Sequence, residues 1–157
     1  MFCSRKNNNK INYIHERALR IVYEDFTNTF DFLLRKDKSV SIHHRNIQKV
    51  ATEMFKVKNG LSPKIMSDIF TLREKHLNTR SKSDFLRPRI KSVKYGEQSL
   101  NNFGPIVWDT MVPDDLKNSL TLDIFSKKIK NWIPSNCPCR LCKNYVTNLG
   151  FVENIST

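Results

Sequence analysis

The chain has 157 residues, enough for one domain with a hydrophobic core or for two small lobes. It carries 27 lysines and arginines against 15 aspartates and glutamates, a net charge of +12 that favours nucleic acid or an anionic membrane surface as a partner. No apolar run approaches the roughly 20 residues of a membrane span, and the N-terminus lacks the apolar core of a signal peptide. We therefore expect an intracellular protein, cytoplasmic or nuclear, with no membrane partner and with reduced cysteines.

Helical periodicity dominates residues 11–70, whereas residues 1–10 are predicted to be disordered. The first helix is predicted from about Ile11 to Asp25, and "FDFLLRK" (30–36) predicts a short second helix. The apolar stripe predicted for the first helix consists of Ile11, Ile14, Ala18 and Ile21.

The strongest helical pattern is "SIHHRNIQKVATEMFKVKNG", in which Ser41 can cap the start and Gly60 can end the helix. Its apolar stripe is typical of a buried core face and consists of Ile47, Val50, Met54 and Val57, with Ala51 beside it. A further helix is predicted in "LSPKIMSDIF", with Ser62 as its cap and Pro63 at its first position.

The tripeptide Tyr23-Glu24-Asp25 is similar to part of the Tyr-x-Asp-Asp hairpin of polymerase palms, where paired carboxylates bind two metal ions. Here Phe26 takes the place of the second aspartate, and the tripeptide ends an amphipathic helix. We therefore interpret it as a helix terminus without catalytic function.

The segment 71–98 is predicted to be an irregular basic connection. Between residues 73 and 94 it contains eight basic and two acidic residues, a net +6, whereas the last third of the chain is nearly neutral. Because cations follow phosphates and rings stack on bases, basic residues interspersed with Phe85 and Tyr95 suit nucleic acid. A solvated loop without a ligand is the alternative. The expected phosphate contacts are Arg80, Lys82, Arg87, Arg89, Lys91 and Lys94.

The segment 99–133 is predicted to be helical, and "RIKSVKY" (89–95) before it predicts a short strand. "GPIVWDTMVP" predicts one helical turn closed by Pro113, with Trp108 as a core anchor, and Thr121 can cap a last helix. One face of that helix carries Leu122, Phe125, Ile129 and Trp132. The expected fold is therefore mainly α: a small helical domain with a basic irregular connection, a short strand or hairpin, and a C-terminal cysteine turn.

Three of the four cysteines lie in the tail 134–157, within "CPCRLC". Cys139 and Cys142 have the C-x₂-C spacing common in zinc sites, and Pro138 favours an extended conformation at Cys137. A closed structural zinc site needs a fourth ligand. The candidates, all distant in sequence, are Cys3, His15, His43, His44 and His76. Zinc binding, a metal-free turn, and disulfide or redox use therefore remain open.

Five stretches in order give the chain a resemblance to a known family. They are "SIHHRNIQKVATEMFKVKNGLSPKIMSDIF", "TRSKSDFLRPRIKSVKYGEQSL", "FGPIVWDTMVP", "SLTLDIFSKKIKNW" and "CPCRLCKNYVTNLGF". Together, over residues 11–152, the chain resembles the C-terminal region of reverse transcriptases from non-LTR retrotransposons, the jockey-like long interspersed elements and related groups. "ERALRIVYEDF" is similar to the stretch just after their polymerase thumb. This chain departs from the family's usual Trp-Asn-x-Leu-Pro motif, because Asp109 takes the place of the asparagine and one extra residue precedes Pro113. In a second departure, Ser126 stands where a lysine is common.

The resemblance implies a role for each segment. Residues 11–70 would be a helical post-thumb segment, the basic connection would hold template or target RNA or DNA, and the cysteine turn would be a nucleic-acid-binding knuckle. The family's catalytic aspartates lie upstream of every matched stretch. The resemblance therefore implies a truncated tail of the reverse transcriptase that does not polymerise by itself.

Two other hypotheses compete with this one. In the first, the chain is a helical interaction module whose stripes at 41–59 and 121–132 pack on the missing polymerase thumb, so that they would be exposed in the isolated chain. In the second, it is a host protein derived from the element that binds RNA independently.

Overall fold

The computed structural model describes residues 5–73, 83–90, 96 and 99–133, and within these ranges the chain is mainly helical with a two-stranded antiparallel sheet. The mainly α fold class is therefore confirmed. The strands are β1 (Thr71–Leu72) and β2 (Phe85–Leu86), with Thr71 opposite Leu86 and Leu72 opposite Phe85. The helices are α1 (Arg5–Tyr23), α2 (Phe30–Asp37), α3 (Ile42–Lys58), α4 (Lys64–Ser67), α5 (Leu100–Thr110), α6 (Asp114–Lys117) and α7 (Leu122–Asn131).

The helix boundaries that depend on local chemistry agree with the sequence. Ser41 Oγ accepts the backbone N–H of His44 at 3.4 Å, and Thr121 Oγ1 accepts that of Ile124 at 3.3 Å, so both residues cap as predicted. Gly60 follows α3 with a positive φ of 67°. The backbone N–H groups of Gly60 and Leu61 bond to the last carbonyls of α3, which is the αL termination that glycine favours.

The first helix starts earlier than predicted, at Arg5 and not near Ile11, so residues 5–10 are helical where disorder was expected. Asparagine has a modest helix propensity, but tertiary contact overrides it here. Asn8 is buried, and Asn12 Oδ1 accepts the backbone N–H of Ile42 at 3.2 Å. This side chain satisfies one of the donors that the start of α3 leaves without an intrahelical partner.

Two other helices differ in length from their predictions. The segment "LSPKIMSDIF" forms a single turn, α4, in which Pro63 is the N-cap residue and Ser62 does not cap. Helix α5 has 11 residues, where one turn closed by Pro113 is predicted, and it contains Gly104 and Pro105, which disfavour a helix. Tertiary packing explains its length: a Cβ at Gly104 would lie 2.7 Å from Met54 Sδ, so glycine lets α5 come this close to α3 without displacing the Met54 side chain.

The main core lies among α3, α5, α7 and the sheet. Trp108 is fully buried at its centre, as predicted, with Phe85 edge-on to it at a centroid distance of 6.3 Å. Phe55 of α3 stacks on Phe125 of α7 at 4.3 Å. Burial of aromatic rings at this density supplies most of the driving force for folding in this region. The core also contains Ile47, Val50, Ala51, Met54, Val57, Phe70, Phe103, Val107, Met111, Val112, Leu116 and Ile129.

Helices α1 and α2 form a separate, smaller cluster. It consists of buried Leu19, Leu33 and Leu34, with Tyr23 and Phe30 packed against them. The apolar stripe predicted for α1 lies elsewhere: Ile14 and Ile21 are each 66% exposed, and Ile11 and Ala18 are also exposed. Helix α1 therefore turns its more polar face, with Asn8, Asn12 and Leu19, towards the rest of the chain.

The stripes of α3 and α7 are buried against each other within this chain. Residues Ile47, Val50, Met54 and Val57 of α3, and Phe125 and Ile129 of α7, are all in the main core. The core face predicted for α3 is thus confirmed. The hypothesis that these two stripes are exposed in the isolated chain is wrong, because each covers the other.

Candidate nucleic-acid interface

Arg87 and Arg89 lie on the exposed, non-strand segment that follows β2. Within β2, Phe85 is buried in the main core and Leu86 points outward, as the alternation of a strand requires. The chain then continues through Arg87 to Ile90 with every residue exposed. Both arginines are therefore presented to solvent directly after a residue fixed in the core.

The strand predicted at 89–95 is not seen where it can be checked. Arg89 and Ile90 are outside any strand, and 91–95 lie outside the described residues. The observed strands instead pair the start of the basic connection, residues 71–72, with its middle, residues 85–86, so these parts form regular structure where an irregular segment was expected. Four of the predicted phosphate contacts also lie outside the described residues. They are Arg80, Lys82, Lys91 and Lys94.

Asp84 anchors this segment to the core. Its Oδ2 accepts the indole N–H of Trp108 at 2.8 Å and pairs with Lys58 Nζ at 2.7 Å. The Lys58 ammonium also lies 5.4 Å from the centre of a Trp108 ring, within cation–π distance. The Asp84 carbonyl accepts the backbone N–H of Arg73, which holds the two sides of the sheet together beyond the strands. A charge-assisted network of this kind fixes the direction in which the chain leaves β2.

Asp109 lies beside this anchor. Its Oδ1 accepts the backbone N–H of Asp84 at 3.4 Å, while its Oδ2 is buried and has no hydrogen-bond partner within the described part of the chain. Burial raises the pKa of the Asp109 carboxyl, because the charged form loses hydration. The hydrogen bond from Asp84 and the charges of Lys117 and Arg87 act in the opposite direction. Arg87 is therefore close enough to the core for its charge to act on Asp109.

The interpretation of Tyr23-Glu24-Asp25 as a helix terminus is confirmed. Helix α1 ends at Tyr23, and Glu24 has a φ of 50°. Tyr23 Oη donates to Asp37 at 2.9 Å, and the Asp25 carboxylate accepts hydrogen bonds from Asn28 and Thr27. The bonds from Asn28 are the main reason why the pKa of Asp25 is lowered. The Asp25 carboxylate thus accepts the hydrogen bonds that hold the turn after α1.

The cysteine turn lies outside the described residues, with Cys137, Cys139 and Cys142 all beyond residue 133. Within residues 5–73, 83–90 and 99–133, no group of three or more His, Cys, Asp or Glu side chains is arranged to hold a metal ion. Of the candidate fourth ligands, His15 packs edge-on against Phe30 at 5.7 Å. His43 and His44 occupy the first turn of α3 and are half-buried.

Sequence reasoning did not identify the anchor. In the sequence Asp84 is one of two acidic residues in a basic segment, and no pattern marks Lys58 as its partner. The two partners of Asp84 lie 26 and 24 residues away in sequence. No local spacing indicates such a contact. Once the fold is known, the clue is that Asp84, one of two acidic residues in a basic segment, lies beside the buried Trp108.

No described helix has the length and apolarity to cross a membrane. No family model, curated protein or solved structure gives a significant match to this chain.

Proposed function

We propose that this chain binds nucleic acid through the basic connection, as the C-terminal segment of a retroelement reverse transcriptase that does not polymerise by itself. The observation that supports binding is the exposure of Arg87 and Arg89 directly after a strand held in the core by Phe85 and Asp84. A held backbone loses less conformational entropy on binding than a free loop. The resemblance of the sequence supports the choice of ligand, RNA or DNA close to a polymerase.

The test is the salt dependence of binding to a labelled single-stranded oligonucleotide of about 20 nucleotides. If about five basic residues contact phosphates, log K falls against log salt concentration with a slope of about −3 to −4. Changing Arg87, Arg89 and Lys91 together to Ala, the connection triple, flattens the slope by about two.

A control triple removes the same charge elsewhere. Lys10, Arg17 and Arg35 are exposed helical residues of α1 and α2, and their change to Ala leaves the slope unchanged. Equal effects of the two triples would show that only net charge matters, and an unchanged slope in the connection triple would place the contacts elsewhere.

Zinc binding by Cys137, Cys139 and Cys142 is part of the proposal and rests on their spacing alone. Protein purified under reducing conditions retains about one zinc per chain, and the Cys139→Ser, Cys142→Ser double variant loses it. A wild-type chain without zinc, folded equally well in chelator, would make the cysteine turn metal-free.

A second candidate function is protein interaction through α1. The exposed stripe of Ile11, Ile14, Ala18 and Ile21 favours it, because such a face is covered in most soluble proteins. In this hypothesis α1, and not α3 or α7, packs on the polymerase thumb. Co-purification of the chain with a separately expressed thumb domain, lost in an Ile14→Gln, Ile21→Gln variant, supports it.

In a third hypothesis the chain is a host protein derived from the element. It would bind RNA through the same surface as the retroelement tail, and the two hypotheses differ only in the DNA sequence upstream of this segment. An adjoining polymerase reading frame upstream of the codon for Met1 supports the retroelement tail. Unrelated host sequence with its own promoter supports an independent RNA-binding protein.

A further inference from the structure

The last turn of α7 lies against the first half of α3. Gln48 Nε2 donates to the carbonyl oxygen of Trp132 at 2.7 Å and approaches that of Lys130 at 3.4 Å. Further along α3, Phe55 stacks on Phe125 near the middle of α7. The two helices therefore run antiparallel, and Gln48 fixes the end of α7 beside the start of α3.

Four basic side chains border this junction. Arg45 and Lys49 are exposed on α3 with i, i+4 spacing, and Lys127 and Lys130 are exposed on α7 with i, i+3 spacing, so each pair shares one helix face. Gln48 is buried at the edge of the α3 core face. Gln48 is bonded to the backbone of Lys130 and precedes Lys49 in the chain, so the backbones of these two exposed lysines lie on either side of the same buried amide.

Carboxylates lie one helical turn from two of these cations, Glu53 from Lys49 and Asp123 from Lys127, without forming an ion pair with them. Among the described residues, no Asp or Glu oxygen lies within 4.0 Å of the charged nitrogens of these four side chains, since the ion pairs found there join other residues. Glu53 pairs with Lys56 at 2.7 Å, further along α3. Asp37 is near enough to Arg45 for the guanidinium to help lower the pKa of that carboxyl.

Helix stability does not explain Arg45 on α3. Positive charge near a helix N-terminus opposes the macrodipole, and the first turn of α3 carries Arg45 and no acidic residue. On α7 the dipole favours Lys130 at the C-terminal end, so that lysine alone would be weak evidence. The unfavourable placement of Arg45 in the first turn of α3, on the same helix face as Lys49, is the feature that points to a ligand.

We propose that Arg45, Lys49, Lys127 and Lys130 form a second phosphate-binding surface, the helix-pair surface, which contacts the sugar–phosphate backbone of the same nucleic acid that the basic connection binds. The inference rests on the proposed function. Lysines and arginines on two helices fixed by a buried amide can follow successive phosphates without reading bases.

The test is the same salt titration, with the full chain and the same oligonucleotide. The helix-pair triple changes Lys49, Lys127 and Lys130 to Ala; all three are exposed helical positions, where alanine preserves the helix. It flattens the slope by about two, whereas the control triple at Lys10, Arg17 and Arg35 leaves it unchanged. With about five contacts in the connection and four on the helix pair, the wild-type slope is about −6, and the two triples combined flatten it by about four.

Each outcome separates the two proposals. A wild-type slope in the helix-pair triple, together with a flattened slope in the connection triple, would overturn the second surface and leave the proposed function standing. Equal flattening of the slope in the control triple would also overturn the second surface, because net charge alone would then explain the salt dependence. If the wild-type chain shows no salt-dependent binding, both proposals fail. Circular dichroism of each triple confirms that the helices are retained.

Discussion

The two buried clusters of this chain are built differently. The main core joins α3, α5, α7 and the sheet through stacked and edge-on aromatic rings around Trp108. The α1–α2 pair has only Leu19, Leu33 and Leu34 fully in its interior, and it leaves the isoleucines of α1 outside. The main core also carries the anchored arginines and the helix-pair surface. One region therefore buries its apolar faces within the chain, and the other leaves an apolar face exposed.

The difference shows what amphipathic periodicity can establish. On both α1 and α3 it identified the residues that share a face. On α3 that face is buried because α5 and α7 cover it. On α1 the contacts with α2 and α3 use the opposite face, through Leu19 and the bond from Ile42 to Asn12. Shared faces follow from helical geometry, but whether a face is covered depends on the partner available.

The largest expected effect tests the main core. Trp108→Ala removes the largest fully buried side chain of the described residues and leaves Asp84 and Lys58 without the indole, so we expect a loss of about 3–5 kcal/mol in the free energy of unfolding. Urea denaturation followed by circular dichroism measures it.

Because a small domain has only about 5–15 kcal/mol in total, Trp108→Phe is the companion variant. It keeps a ring in the core and loses the hydrogen bond to Asp84, at a cost of about 1–3 kcal/mol. A loss below 1 kcal/mol for Trp108→Ala would mean that the main core is not organised around this residue.

Leu33→Ala tests the smaller cluster. The side chain is fully buried, and the cavity costs about 2 kcal/mol, at the lower end for such a change because few neighbours surround it. Amide hydrogen exchange should speed up in α1 and α2 while α3 keeps its protection. Equal acceleration in α3 would show that the two clusters unfold as one unit.

Some features of the main core can be predicted from the sequence, and others cannot. Trp108 as a core anchor, the caps Ser41 and Thr121, and the end of α3 at Gly60 follow from residue chemistry within a few positions. The Asp84 anchor and the length of α5 follow from contacts distant in sequence. Gly104 disfavours a helix locally, yet its missing Cβ is what allows α5 to pack on Met54. Local propensity has no information about that contact.

Asp109→Asn tests the edge of the main core by its pH dependence. Burial raises the folded-state pKa of Asp109 above its ordinary value of 3.8, so the folded state holds this proton more tightly than the unfolded chain. Stability from this group is present below the unfolded pKa and is lost as pH rises through the folded pKa. Asparagine, which is usual at this position in the family that the sequence resembles, carries no charge. It should raise the melting temperature near pH 7 and leave it unchanged near pH 3. A lower melting temperature near pH 7 would mean that attraction to Lys117 and Arg87 outweighs burial.

The smallest effect is expected on α1. Ile14→Gln with Ile21→Gln alters two exposed side chains, so the free energy of unfolding should change by less than about 0.5 kcal/mol. The matched change Ile47→Gln in α3 places an amide in the main core and should be strongly destabilising. Equal destabilisation by the α1 variant would show that its stripe is buried in the folded chain.

The most direct test of the account is to map the nucleic-acid footprint onto both regions at once. Backbone amide chemical shifts are recorded by NMR while a single-stranded oligonucleotide is added to the full chain. We expect the largest changes at Arg87 and Arg89 and around Lys49 and Lys130, with the exposed face of α1 unchanged. Changes confined to α1 and α2, or no changes at all, would contradict the claim that the main core carries the nucleic-acid interface.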